Sequence, residues 1–304
     1  MTTSQGIRFG QRQLQAGSPA LAQLRDCTAL LDDMPALRAR MREDGYLLVR
    51  GLYRRSQVMA ARLALFTEFA KQDIFDPDAP LLEGRVNHQR TGHAGAFLGG
   101  NEATALPAFR QVIEGAEIMG FFQRFLGQPA LTFDYKWMRL VGPGDATGAH
   151  MDNVYMGRGS SQLYTVWTPL GDVPYAQGPL AILVGSHRLE AFARVRETYG
   201  QMDVDIDRVA GWFSDDPLEL TERFGGQWAS SEFKAGDALI FGMHTMHASL
   251  TNTSDHFRIT SDTRYQPAAD PADERWIGEN PKAHYAWHTG PQVPMHQKRQ
   301  EWGV

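Results

Sequence analysis

Gly142-Pro143-Gly144-Asp145-Ala146-Thr147-Gly148-Ala149-His150-Met151-Asp152 is the stretch on which the reading turns. Its glycines permit a tight approach to the end of a strand. In extended backbone, side chains two apart point the same way, so His150 and Asp152 face one spot. A lone His-x-Asp is weak, because a surface histidine near a charged turn reads the same. Its weight comes from further along. The strand-like run Asp237-Ala238-Leu239-Ile240-Phe241 leads to His247, and Arg258 follows eleven residues later. Two imidazoles and one carboxylate on one face of a metal leave positions open for a second ligand and for oxygen. That set is diagnostic of non-heme Fe(II) oxygenases. Arg258 adds a planar fork for the far carboxylate of a dicarboxylic co-substrate.

Two histidines compete for the third ligand position, and the residues downstream of them favour His247 over His244. Thr253-Ser254-Asp255 reads as a turn, with a return strand from Phe257. On that strand Arg258, Thr260, Asp262 and Arg264 share one face, and Phe257 and Ile259 share the other. A polar face inside a barrel is costly unless something binds there. Ser249, two past His247, is placed to donate a hydroxyl to the carboxylate that Arg258 meets. The competing reading of Arg258 is a structural ion pair with Asp262 or Asp255, and Arg264 is the fallback anchor. His244 is assigned to the surroundings of the metal or the substrate side.

Composition bounds the function classes. The 304 residues are 42% hydrophobic, enough for a sizeable core, with a net charge of −5 and a pI of about 6.1. No block of like charge stands out, which argues against nucleic-acid or membrane-surface partners. No uninterrupted apolar run approaches the roughly 18 residues of a membrane span. Met1 to Gln13 lacks the apolar core of a signal peptide. The single cysteine, Cys27, fits a reducing cytoplasm and reads as an inert thiol.

Periodicity divides the chain into a mostly helical part (about 1–128), a β core (129–266) and a packed tail (267–304) of one domain. Ser18-Pro19 reads as an N-cap with Pro at N1, opening a helix over Ala20 to Leu31. A short helix over Met34 to Met41 and a strand at Tyr46 to Arg50 come next. Helices are expected at Ser56 to Ala70 and Pro107 to Leu126, the latter ended by Gly127. Strands are expected at Leu131 to Val141, Leu163 to Trp167, Leu180 to Val184, Ala238 to Met243 and Phe257 to Tyr265, with a helix at Arg188 to Tyr199. Short strands with helices gathered at one end predict a jelly-roll-like antiparallel barrel backed by helices, a mainly β, α+β fold. Asp73 to Asn101 and Gly200 to Phe233 are the candidate lids.

The motifs taken in order resemble the phytanoyl-CoA dioxygenase family over roughly residues 40 to 266. They are Gly45-Tyr46-Leu47-Leu48-Val49-Arg50-Gly51, His150/Asp152, Trp167-Thr168-Pro169-Leu170, Gly178-Pro179-Leu180 to Gly185-Ser186-His187, Gly236 to Phe241, and His247 through Asn252 to Arg258. Val184 stands where the family usually has proline. The resemblance implies a double-stranded β-helix (cupin-like) core and an Fe(II)- and 2-oxoglutarate-dependent oxygenase. It implies that His150, Asp152 and His247 hold the iron, that Arg258 and Ser249 hold 2-oxoglutarate, and that Trp167, Thr147 and Met138 line its site. The reaction it implies consumes O2, releases succinate and CO2, and hydroxylates a small organic substrate. With Asp152 present, oxidation is implied rather than halogenation.

The remaining polar residues are less telling. His187 reads as a structural turn residue, His88 and His93 as solvated loop histidines, and His284 with His288 as no metal pair, since no carboxylate motif is near. Arg139, Arg158 and Lys136 are available to an anionic substrate, but each reads first as a surface or strand-end charge. The substrate is not specified, nor is an oligomer. Two other classes fit parts of the pattern: a non-catalytic metal- or small-molecule-binding β-barrel, and a cupin-like dioxygenase without 2-oxoglutarate, which has no need of Arg258.

Overall fold

A computed structural model describes residues 6–15, 17–89, 97–98, 102–285 and 290–304. The chain opens with β1 (Ile7–Phe9), β2 (Arg12–Leu14) and β3 (Leu21–Gln23), then α1 (Met34–Asp44), β4 (Tyr46–Val49) and α2 (Arg55–Ala70). After β5 (Phe97–Leu98) come α3 (Pro107–Ile113), α4 (Ala116–Leu126), β6 (Ala130–Thr132) and β7 (Trp137–Val141). The core continues through α5 (Asn153–Met156), β8 (Tyr164–Pro169), β9 (Leu180–Leu183), α6 (Ala193–Glu197), α7 (Val204–Asp207), α8 (Pro217–Phe224) and β10 (Trp228–Ser230). It closes with β11 (Ala238–Gly242), β12 (His247–Ser249), β13 (Arg258–Pro267) and α9 (Met295–Trp302).

Two sheets make the β core. The larger has the order β4-β11-β8-β13-β7-β5, with β6 also paired to β13; the smaller runs β12-β9-β10-β3. Apart from the parallel β3–β10 pair, the strands of these two sheets pair antiparallel. The double-stranded β-helix expected from the sequence is therefore present.

The faces of the large sheet follow the two-residue period. Leu47, Val49, Met138, Leu140, Val166, Ile240 and Ile259 point towards α1 to α4 and build one core with Leu37, Val58, Phe66, Phe109 and Phe122. Their neighbours Tyr46, Leu48, Trp167, Leu239 and Phe241 point the other way, against Leu180, Ile182 and Ala229 of the small sheet. The inner face of β13 carries Arg258, Thr260, Asp262 and Arg264, all buried. α1 starts where Asp33 accepts the N–H of Ala36 (2.9 Å) and ends at Gly45 in the left-handed region (φ 82°).

The single strand expected over Leu131 to Val141 is two, β6 and β7, and two expected helices fail. Ala20 to Leu31 is not a helix. Ser18 Oγ does accept the N–H of Ala20 (3.2 Å), but it closes a turn, and Leu21–Gln23 then pairs with Trp228–Ser230 as an edge strand. Pro107 to Leu126 is two helices broken at Gly115, where a Cβ would stand 2.1 Å from the carbonyl oxygen of Gln111. The 200–233 segment also holds more order than its composition suggests: α7, α8 and β10 lie in it. In the tail Trp276 is buried, as expected. Trp287, His93 and His288 lie outside the described residues.

Candidate active site

His150 and His247 face each other across an antiparallel bridge, His150 N–H to His247 O (2.9 Å) and His247 N–H to His150 O (3.0 Å). This brings the rings to a centroid distance of 4.1 Å. The extended backbone of His150 turns at Asp152 into α5, bringing the carboxylate Oδ1 to 3.7 Å from the Nε2 of both imidazoles. The three ligand atoms all lie within 4.8 Å of one another. Each ring's Nδ1 lies against a backbone carbonyl, Gly148 O for His150 (2.8 Å) and Thr245 O for His247 (3.0 Å). A carbonyl only accepts, so Nδ1 donates and the Nε2 lone pairs turn to the centre, the tautomer a metal needs. Burial pushes both imidazoles towards the neutral form, His150 down to about 3.

Asp152 is buried, which by itself raises its pKa. The Arg264 guanidinium, the two imidazoles and the Thr165 hydroxyl outweigh that and hold it well below the usual carboxylate range. Its outer oxygen Oδ2 accepts from Thr165 Oγ1 (2.5 Å) and Arg264 Nη2 (3.0 Å). Arg264 lies over the Trp137 ring, 4.3 Å from its centroid. Sequence reasoning does not anticipate Arg264 and Thr165 in this role, although Arg264 does lie on the polar face read for β13.

A narrow cleft runs from the trio between Trp167, Leu180 and Phe241 to Arg258. Room for a water-sized molecule is only about 20 Å³, so a five-carbon diacid would need side chains to yield. Arg258 is buried, and its Nε and Nη1 have no hydrogen-bond partner among the described residues. Burial lowers its pKa to about 10, leaving it charged at neutral pH. The structural ion pair weighed for it is absent: Asp262 is paired with Arg139, and Asp255 with His256 and Arg85.

Trp167 and Thr147 line the cleft. Met138 does not: it points into the helix-side core, because its neighbours Trp137 and Arg139 take the inward positions of β7. Ser249 is also not among the lining residues. Its Oγ accepts the N–H of Thr147 (2.8 Å), so it fixes the loop that carries Thr147. His244 borders a separate surface groove with His187 and Arg196, away from the metal trio. His187 holds the carbonyl of Arg42 (2.9 Å), a structural contact. Lys136 is buried against Glu114 (2.9 Å) and Arg158 pairs with Asp203 (2.7 Å).

A second cavity of about 470 Å³ opens beside the trio, lined by Tyr135, Trp137, Tyr155, Trp212 and Trp276, with Arg139 and Arg264. Trp212 comes from one of the two candidate lid segments. No described residue of the other, Asp73 to Asn101, reaches this cavity. The aromatic positions fall on short irregular segments as well as on β7, so no single period in the sequence marks them as one wall.

A double-stranded β-helix with a buried His-Asp-His trio between its sheets is the arrangement of the non-heme iron oxygenases. The chain belongs to the phytanoyl-CoA dioxygenase (PhyH) family, which matches residues 41–260. It is therefore an enzyme of the oxidoreductase class. It is 27% identical over 271 residues to the 1-deoxypentalenic acid 11-beta-hydroxylase of Streptomyces exfoliatus, covering 80% of this chain and 85% of the relative. The fold is shared with the epimerase SnoN from nogalamycin biosynthesis, solved with Fe3+, alpha ketoglutarate and nogalamycin RO (TM-score 0.55, 19% identity, 86% of this chain and 98% of that one). It is also shared with EctD from S. alaskensis, solved with 2-oxoglutarate and 5-hydroxyectoine (TM-score 0.55, 19% identity, 91% and 90%).

Proposed function

We propose that the protein is an Fe(II)- and 2-oxoglutarate-dependent hydroxylase of a small organic molecule, with His150, Asp152 and His247 as the metal ligands. The observation that carries the reading is the pairing of this trio with the Arg258 guanidinium at the far end of the same cleft, whose Nε and Nη1 have no partner among the described residues. A buried, unpaired cation is costly in a folded protein unless an anion arrives to meet it. That feature also separates the reading from a metal-binding barrel without turnover and from a cupin-like dioxygenase that does not use the diacid.

Iron with 2-oxoglutarate bound there would supply the activation of O2, one oxygen atom entering a substrate C–H bond and the other entering succinate as CO2 leaves. The chain's own part is position and exclusion of water. His150 and His247 present Nε2 because the backbone fixes Nδ1. Asp152 presents Oδ1 because Thr165 and Arg264 occupy Oδ2. Arg258 orients the distal carboxylate, and Thr147 and Trp167 wall the cleft. The substrate lies in the aromatic cavity, and Trp212 belongs to the segment that closes over it. The single cysteine suits a reducing compartment, and we place the reaction in the cytoplasm.

Anaerobic titration of the metal-free protein with Fe(II) and then 2-oxoglutarate tests this. The expected result is a weak visible charge-transfer band that is lost in His150→Ala and weakened in Arg258→Ala. Iron binding without a band sinks the 2-oxoglutarate assignment.

A further inference from the structure

We propose that the substrate is a compact, ring-bearing molecule with a single anionic group, its apolar body against Tyr135, Trp137 and Trp276 and its anion on Arg139. This rests on the iron and 2-oxoglutarate reading above. The cavity, at about 470 Å³, falls in the range of small-molecule pockets. The three rings brace one another, with centroids 4.6 Å (Tyr135–Trp137), 5.2 Å (Tyr135–Trp276) and 4.8 Å (Trp137–Trp276) apart. Such a wall is stiff as well as apolar, and it suits a rigid ring body better than a flexible chain.

Charge selects the polar group. The carboxylates at the cavity are already engaged. Asp152 is held by Thr165 and Arg264, Asp262 by Arg139, and Asp205, behind His284, by Arg275 (2.5 Å). An ammonium substrate finds no free carboxylate among the described lining residues, and burying it there is costly. Arg139 is different. It meets Asp262 through Nε, its side chain keeps 24% exposure, and it borders both the aromatic cavity and the cleft. Among the described residues its two terminal nitrogens have no hydrogen-bond partner, which leaves them for a carboxylate-shaped group.

The charge balance agrees. Arg139, Arg258, Arg264, Asp152 and Asp262 line the two cavities. A divalent metal and a doubly ionised 2-oxoglutarate cancel, so one positive charge is left for the substrate to meet. A coenzyme A thioester, with several phosphates, is poorly matched to one available guanidinium.

Three probes with the same ring body test this on the protein loaded anaerobically with Fe(II) and saturating 2-oxoglutarate: 2-naphthoate, 2-naphthylmethanol and 2-naphthylmethylammonium. Calorimetry reads their affinities, and the charge-transfer band reports whether the diacid stays bound. 2-Naphthoate is expected to bind about ten-fold tighter than the alcohol, with the ammonium weakest. Arg139→Gln should bring 2-naphthoate to the level of the alcohol, and Arg139→Lys should keep part of the preference. The proposal is overturned if the ammonium binds as well as 2-naphthoate, or if 2-naphthoate abolishes the band by displacing the diacid. It is also overturned if Arg139→Gln weakens 2-oxoglutarate instead. If neither variant folds, the ranking on the wild-type protein decides. Absence of the band before any probe is added is a failure of the underlying reading. A normal band with no ranking among the probes is a failure of this proposal alone.

Discussion

The two oxygens of Asp152 have separate surroundings: Oδ1 faces the imidazoles, and Oδ2 is held by Thr165 and Arg264. Arg264 thereby keeps the carboxylate ionised and fixes which oxygen a metal meets. Arg264→Gln is expected to weaken Fe(II) or Co(II) binding by roughly 10- to 100-fold, the usual cost of losing such a support. Anaerobic metal titration measures it, and unchanged affinity removes Arg264 from the role. Arg258 gives the opposite pattern, since nothing in the protein pairs with its Nε and Nη1 among the described residues. Arg258→Met should leave the ligand-free protein as stable or more stable, by roughly 1–3 kcal/mol, while the thermal stabilisation given by 2-oxoglutarate disappears. A destabilised ligand-free variant counts against the idea that Arg258 waits for a ligand. The sequence can show His150, Asp152, His247 and Arg258 because their residue types, order and spacing form a ligand pattern, although Asp152 stands in helical backbone at the start of α5 and not on the extended backbone expected for it. It cannot show partners. Arg139 is visible in the sequence as a charge, yet its engagement of Asp262 depends on the register of β7 against β13, set by residues more than a hundred positions apart. Family resemblance puts Met138 at the cleft, and the alternation of its own strand places Trp137 and Arg139 inside instead.

The strands that carry the trio depend on tight turns. Gly178 leads into β9, which pairs with β12 and so sets His247 opposite Ile182. Its φ is +68°, and a Cβ there would stand 2.3 Å from the carbonyl oxygen of Leu250. Gly178→Ala combines backbone strain with a clash against main chain that cannot swing aside, and should cost roughly 1–3 kcal/mol. Urea unfolding measures the loss, and metal affinity should fall with it as β12 shifts. A variant of wild-type stability would show that the turn adapts. The same dependence on partners explains which elements are legible in the sequence. α1, α2, β4, β8 and β11 carry their periodicity in their own residues. β3 does not: Leu21-Ala22-Gln23 is an edge strand only because β10, two hundred residues on, offers an unpaired edge. The break at Gly115 is local, but apolar spacing on both sides of it reads as one helix.

Burial of imidazoles links the site to the behaviour of the molecule with pH. Desolvation pushes His150, His187, His244, His247 and His284 below the ordinary histidine value. The unfolded chain protonates them near 6.5, whereas the folded chain resists protonation until lower pH, about 3 for His150. Between those limits the unfolded state binds more protons, so stability is full above about pH 6.5 and is lost as pH falls towards the folded values. His150 alone should contribute about 1 kcal/mol of loss at pH 5.5. The depressed carboxylate of Asp152 acts in the same direction, but only below the ordinary carboxylate range. Metal-free protein should therefore unfold at a lower urea midpoint at pH 5.5 than at pH 7.5. Bound Fe(II) should raise both midpoints without widening the gap through His150, whose Nε2 stays unprotonated in the folded protein at both pH values. Equal midpoints at the two pH values, with and without metal, would mean that these imidazoles exchange protons freely in the folded protein and that the trio is more open to water than its burial implies.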